Sequence, residues 1–262
     1  MKIWAIADLH LSFGVPNKEM DVFGPRWTNH AQKIETNWRE VIKDEDLVLI
    51  AGDISWALRL SDAAVDLNWI ANLPGTKVIS KGNHDLWWSS MKKLESILPP
   101  KMHFIHNNAF TYQGVTIGGT RLWDHLDNDF SRYIEYRKPP EHINIQKKEY
   151  TKEAELHDAK IYKGELERLK TSLNCLDPNA HTRIAMIHYP PAGSIHRETE
   201  VTKILEEYKI NICVYGHLHN LKDDAPVNFT HNGITYICTA CDFLNFHPYP
   251  ITYNNSSIAF IK

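Results

Sequence analysis

A mixed-sheet α/β fold is predicted for these 262 residues, and three observations carry the prediction. Apolar strand-like runs alternate with amphipathic helical stretches through the first hundred residues, the pattern of parallel strands joined by helical crossovers. Short strands separated by Asn107-Asn108 and Gln113-Gly114 come next, as in tight hairpins. Further apolar runs at 183–187, 210–215, 227–230, 234–239 and 257–261 supply more strands. A two-sheet core flanked by helices accommodates this inventory in a single domain over 1–262. A hydrophobic content of 43% suffices to fill such a core.

Residues 2–7 read as a buried strand. Ala31, Ile34, Trp38, Val41 and Ile42 recur at helical spacing, with Thr28 or Asn29 as the cap. An apolar strand at 47–51 ends on Gly52-Asp53. Ser61 is expected to cap the next helix and Val65, Trp69, Ile70 and Leu73 to form its inner face, until Pro74-Gly75 breaks it. Residues 77–80 make another strand, and Ser89 or Ser90 opens a helix that Pro99-Pro100 stops. Three short strands follow at 103–105, 110–112 and 115–118. The stretch 124–180 stands apart as a charged helical insertion. Within it, about 145–174 reads as a long helix or a helical pair, with Ala159, Tyr162, Leu166, Leu169 and Leu173 along one stripe and Gly164 as a weak point.

Composition narrows the function. The net charge of −3 gives the chain no polyanion-binding character, which argues against long nucleic acid as a partner. Cys175, Cys213, Cys238 and Cys241 have no disulfide spacing, and Cys238-x-x-Cys241 has no second pair to complete a zinc site. No apolar run approaches membrane-spanning length, and the N-terminal run is too short for a signal peptide; a cytoplasmic location is expected. Fifteen histidines are many, and neutral imidazole is a common metal ligand.

Those histidines are not scattered. Asp8-x-His10, Gly52-Asp53, Gly82-Asn83-His84-Asp85, His188 and Gly216-His217-x-His219 each follow the end of an apolar strand. Functional side chains of open α/β sheets gather at that carboxyl edge, so residues remote in sequence have a way to converge. The glycines allow tight turns or close backbone approach. Carboxylates, imidazoles and one amide oxygen suit two divalent transition-metal ions, Mn2+, Fe2+ or Zn2+, better than an all-oxygen cage suits Mg2+ or Ca2+. Two ions roughly 3.5–4 Å apart can hold a bridging hydroxide and clamp the oxygens of an in-line displacement at phosphorus.

With all five blocks intact and in order, the chain resembles the calcineurin-like metallophosphoesterases, whose motifs run D-x-H, G-D, G-N-H-[DE], H and G-H-x-H. The resemblance implies a four-layer α/β/β/α sandwich. It implies that Asp8, His10 and His219 bind one metal, that Asn83, His188 and His217 bind the other, and that Asp53 bridges them. It further implies that His84 faces the substrate, with Asp85 orienting its imidazole as in an acid–base dyad.

The expected activity is hydrolysis of a phosphomonoester or small phosphodiester, a nucleotide or cyclic nucleotide among the candidates. A metal-dependent nuclease, two-metal hydrolysis of a carbon-centred ester or amide, and a non-catalytic protein-binding scaffold on the same fold are the rival readings; the retained His84 speaks against the scaffold. Around the motifs, Trp56, Trp87 and Trp88 read first as packing residues and second as a stacking wall. The loop 12–27 is a substrate-contact element, and Arg26, Arg59 and Arg121 are candidates for gripping phosphate oxygens.

Overall fold

The computed structural model describes residues 1–126, 128–135 and 151–251; the strand expected at 257–261 and the start of the helix expected from about 145 lie outside them. Strands β1 (Ile3–Ile6), β2 (Leu47–Ala51), β3 (Thr76–Ser80) and β4 (Met102–Ile105) run parallel in the first sheet. The second sheet begins with the hairpin of β5 (Ala109–Tyr112) and β6 (Val115–Thr120). It continues in parallel through β7 (Thr182–Ile187), β8 (Ile212–Tyr215) and β10 (Ile234–Cys238), and closes with β9 (Phe229–His231) antiparallel to β10. β11 (Tyr249–Ile251) returns to the first sheet as an antiparallel edge beside β1, giving the order β11-β1-β2-β3-β4. Sequence reading missed β11 because Pro250 reads as a break; an edge position tolerates it.

Three apolar clusters define the layers. Between the sheets, Ile3, Ala5, Leu47, Leu49 and Val78 meet Val115, Ile117, Ile184, Met186 and Val214. On the outer face of the first sheet, Ile6, Val48, Ile50 and Ile79 pack against Ile34 and Trp38 of α1 (His30–Val41) and Leu67 and Ile70 of α2 (Leu60–Ala71). A short α3 (Met91–Glu95) adds Leu94 to this cluster. On the outer face of the second sheet, Ala185, Ile187, Cys213 and Tyr215 meet Leu166, Leu169 and Leu173 of α4 (Lys152–Leu173) and Val201, Ile204 and Leu205 of α5 (Glu200–Glu207). The result is an α/β/β/α sandwich. Strands covered on both faces need apolar residues at consecutive positions, which is why 47–51 and 212–215 show no alternation.

Two expectations change. α2 starts one residue before Ser61, with Arg59 at its N-cap position. Its buried face is Ala63, Asp66, Leu67 and Ile70, while Val65 stays 47% exposed. The inward turn follows Asp66, whose carboxylate accepts the Phe13 N–H at 2.8 Å and the Ser55 hydroxyl. A polar residue owns the inner face because two loops need its oxygens, and apolar periodicity cannot see that. The stretch 124–180 contributes, in α4, one of the sandwich's own layers, and its helix runs through Gly164 without interruption.

Candidate metal centre

β1, β2, β3, β7, β8 and β10 run parallel within their sheets, and the turns after them share one edge of the sandwich. Ala7 and Ala240 form a bridge between the ends of β1 and β10, with the Ala7 N–H to the Thr239 carbonyl at 2.7 Å and the Cys241 N–H to the Ala7 carbonyl at 3.0 Å. That seam joins the two sheets where the sequence-predicted ligands emerge.

The ligand turns adopt unusual backbone conformations. Asp8, His10, Asp53 and His217 have φ of 60°, 44°, 53° and 72°, the left-handed region that non-glycine residues rarely occupy. Such outliers persist only where the surroundings over-determine them, and they concentrate at functional sites. The glycines serve close approach: a β-carbon on Gly82 would collide with the Asp53 carboxylate, and one on Gly216 with Asp8.

These turns bring the predicted ligands together. His10 Nε2 and His219 Nε2 lie 3.1 Å apart, with Asp8 Oδ1 3.6 Å from the latter and Asp53 Oδ2 3.7 Å from the former. On the other side, the Asn83 amide oxygen sits 2.7 Å from His188 Nε2 and 3.0 Å from His217 Nδ1, and Asp53 Oδ2 is 3.5 Å from His188 Nε2. His219 therefore falls with Asp8 and His10, and His217 with Asn83 and His188. Donor atoms of Asp8, His10 and His219 fall within 4.8 Å of one another, as do those of Asp8, Asp53 and His188.

The electrostatics call for cations. Asp8 and Asp53 are fully buried, and among the described residues no lysine or arginine pairs with either. Burial pushes the Asp8 carboxyl up to about 7 against the pull of His219 and His188. Burial also opposes ionisation of Asp53, but His188, His10 and His84 hold it below the usual carboxylate range. Against their own burial, His188 is raised to about 9 by Asp53, and His219 to about 9 by Asp242. Burial instead drives His217 down to about 3 and His10 well below its ordinary value. Protons on two imidazoles thus supply positive charge that divalent ions would replace, with proton release. The donor set and its missing counter-charge fit a pair of divalent metals.

His84 donates its main-chain N–H to Asp53 at 2.8 Å and packs its ring on Trp56 at 4.4 Å. Its ring nitrogens make no hydrogen bond among the described residues, and burial keeps the imidazole below its ordinary pKa. Asp85 departs from the expected dyad. Its Oδ1 accepts from the N–H groups of Ile54 and Ser55 and from Trp87 Nε1 at 2.9, 3.2 and 3.0 Å, and its Oδ2 accepts from the Gly82 N–H at 2.8 Å. These donors consume the carboxylate, so Asp85 ties the Asp53 turn to the Asn83-His84 turn and does not orient the imidazole of His84.

Among the tryptophans, Trp87 is buried beneath Asp85 and Trp88 donates to His106 Nδ1 at 2.9 Å, so both pack. Trp56 stacks on His10 at 5.0 Å and stays partly exposed beside His84. Within the loop 12–27, Trp27 is buried and sets its edge against His10 and His219 at 5.9 and 5.5 Å. Of the three arginines, Arg26 reaches the Asp242 carbonyl at 3.4 Å, Arg59 is exposed, and Arg121 pairs with Glu165. A cavity of about 760 Å³ borders His217 and Pro190 and is lined beyond them by Asp124, Phe130, Asp158 and Tyr162.

Sequence reading overlooked Asp242. Its Oδ1 lies 2.8 Å from His219 Nδ1 and its Oδ2 accepts the Asn220 N–H at 3.0 Å, so it fixes both the His219 ring and its turn. Its place past the end of β10 could mark Asp242 as a candidate, but nothing in the sequence pairs it with His219. Cys238 and Cys241, which drew attention there instead, are buried free thiols.

Carboxylates, imidazoles and an amide thus converge at the common edge of paired sheets. The chain belongs to the calcineurin-like phosphoesterase family, whose sequence model matches residues 1–221. A curated relative, the Gene 66 protein of Mycobacterium phage D29, is 36% identical over 84 residues; the match takes in 32% of this chain and 40% of that protein. Among solved structures, the protein of unknown function AQ665 from Aquifex aeolicus is similar at 15% identity, a TM-score of 0.47 and 95% coverage of each chain. The phosphopantetheinyl hydrolase PptH of Mycobacterium tuberculosis is similar at 13% identity and a TM-score of 0.47, covering 99% of this chain and 98% of its own.

Proposed function

We propose that this phosphoesterase hydrolyses a phosphomonoester or small phosphodiester with two transition-metal ions. Asp8, His10 and His219 would hold one ion, Asn83, His188 and His217 the other, with Asp53 shared between them. When bound, such ions (Mn2+, Fe2+ or Zn2+) supply Lewis acidity toward phosphoryl oxygens and an activated water. The convergence of His10 and His219 Nε2 at 3.1 Å beside two buried carboxylates without lysine or arginine partners is the observation that carries this reading.

The chain's own groups supply the rest. His84, half-buried and lowered in pKa by burial, can donate a hydrogen bond to the phosphoryl or leaving oxygen through a ring N–H that has no partner among the described residues. Asp85 holds the two turns that carry Asp53 and His84 in register. Trp27 and Trp56 wall the His10 side and limit water there. Asp124, Phe130 and, from α4, Asp158 and Tyr162 border the cavity beside His217, which gives the organic part of a small ester a place to lie. Free cysteines support a cytoplasmic location, and the net charge of −3 favours a small substrate over long nucleic acid.

Protein prepared without chelator and resupplied with manganese is expected to hold about two ions per chain. It should release p-nitrophenol from p-nitrophenyl phosphate or its bis-ester, or open a cyclic nucleotide. Stoichiometric metal without turnover on any of these would instead favour a binding scaffold.

A further inference from the structure

Beside the metal centre, at the edge where β3, β4 and β6 end against α4, a cleft of about 240 Å³ is lined by Lys81, His106, Thr120, Arg121, Glu165 and Arg168. We propose that this cleft binds a second anionic group of the substrate, so that the preferred esters are small molecules carrying two. This rests on the phosphohydrolase reading and adds the class of substrate to it.

The charges do not balance within the cleft. Three cations face one carboxylate, and that carboxylate is already engaged. Glu165 accepts the Thr120 hydroxyl at 2.7 Å and the Leu122 N–H at 3.2 Å, and pairs with Arg121 at 3.4 Å and Arg168 at 3.8 Å. Lys81, itself only partly exposed, makes no hydrogen bond or ion pair among the described residues. The Arg121 Nε–H is buried without a hydrogen-bond partner among the described residues, although its guanidinium also lies over the Trp123 ring at 4.5 Å. A buried charged donor left unpaired is costly, and an incoming anion would satisfy it.

His106 extends the same pattern. Its Nδ1 accepts from Trp88 Nε1 at 2.9 Å, so the proton of the neutral ring sits on Nε2 as a donor. Burial, and then the positive charges of Arg168 and Lys81, hold this imidazole below its ordinary pKa, as an electropositive cleft should. Arginine and lysine together suit a phosphate or carboxylate rather than a neutral group.

The chain ties this cleft to the reacting centre. Lys81 directly precedes Gly82-Asn83, and two residues of chain span at most about 7 Å. The Arg121 carbonyl accepts the N–H groups of His188 and Tyr189 at 3.2 and 3.0 Å. An ester whose second anion lies a few bonds from the scissile phosphate can therefore reach both places.

A matched pair of esters tests the assignment on the manganese-loaded protein: butyl phosphate and butane-1,4-diol bisphosphate, differing only in the second phosphate. The bisphosphate should be preferred in kcat/KM by roughly tenfold or more, chiefly through KM, because charge-assisted contacts of this kind are worth that much. Arg168→Glu, at a position 50% exposed and so tolerant of change, and Lys81→Met should each collapse the preference. No preference in the parent protein, or one that survives both substitutions, overturns the proposal. Should neither ester turn over, the p-nitrophenyl esters and cyclic nucleotides decide the phosphohydrolase reading separately, and calorimetric binding of the bisphosphate then decides the cleft. Binding lost in Arg168→Glu supports it; equal binding in both proteins refutes it.

Discussion

At His84 the ring nitrogens make no hydrogen bond among the described residues, and the neighbouring carboxylate that looked like its orienting group is bonded elsewhere. Under the proposed function His84 would act by direct contact with substrate. Replacing His84 by Ala is expected to lower turnover by about two powers of ten or more while leaving metal content intact, since general acid–base groups contribute on that scale. Metal analysis alongside steady-state kinetics checks both halves, and undiminished turnover removes His84 from the mechanism. Asp242 acts one step further out. An aspartate that fixes a metal-binding imidazole through its far nitrogen typically governs affinity by about 10–100-fold. Asp242→Asn should therefore fold normally and lose manganese to a graded chelator at correspondingly lower concentrations. Equal retention by the two proteins would show that the His219–Asp242 bond, 2.8 Å long, does not set affinity.

At the scale of elements, the strands that carry ligands were plain in the sequence, because burial on both faces forces uninterrupted apolar runs. Helix faces were less so. Tyr162, Leu166, Leu169 and Leu173 of the α4 stripe are buried as periodicity predicts, although Ala159 at its start is exposed, while α2 turned because of Asp66, whose partners lie 11 and 53 residues away. Gly164 provides a direct test of α4. It has open space where a β-carbon would go and no left-handed φ, so it serves helix length alone. Gly164→Ala should stabilise the protein by about 0.8–1 kcal/mol, the difference in helix propensity. Chemical denaturation measures this, and a loss of stability would mean that the glycine answers a packing need that the structure does not contain.

Across the whole molecule, the candidate metal centre lies on the seam between the sheets, with the proposed ligands drawn from both. Ion binding should then stabilise the assembled sandwich rather than one lobe of it. Manganese at about 100 times its dissociation constant should add about 2.7 kcal/mol by linkage. Calorimetric unfolding with and without the ion reports it, as a single transition shifted upward; an unmoved transition would mean the ligands do not bind the ion in the folded state. Composition and motif order determined, with no structure in hand, an α/β chain whose strand ends carry a candidate metal-binding set, because those features are local: a run of apolar residues, a glycine turn, a potential ligand just beyond it. Tertiary structure alone decided that Asp85 fastens two turns, that Asp242 orients His219, and that Lys81, Arg121 and Arg168 share a cleft. Each of those facts depends on which donors and charges meet across long stretches of chain, and spacing along the sequence holds no record of such meetings.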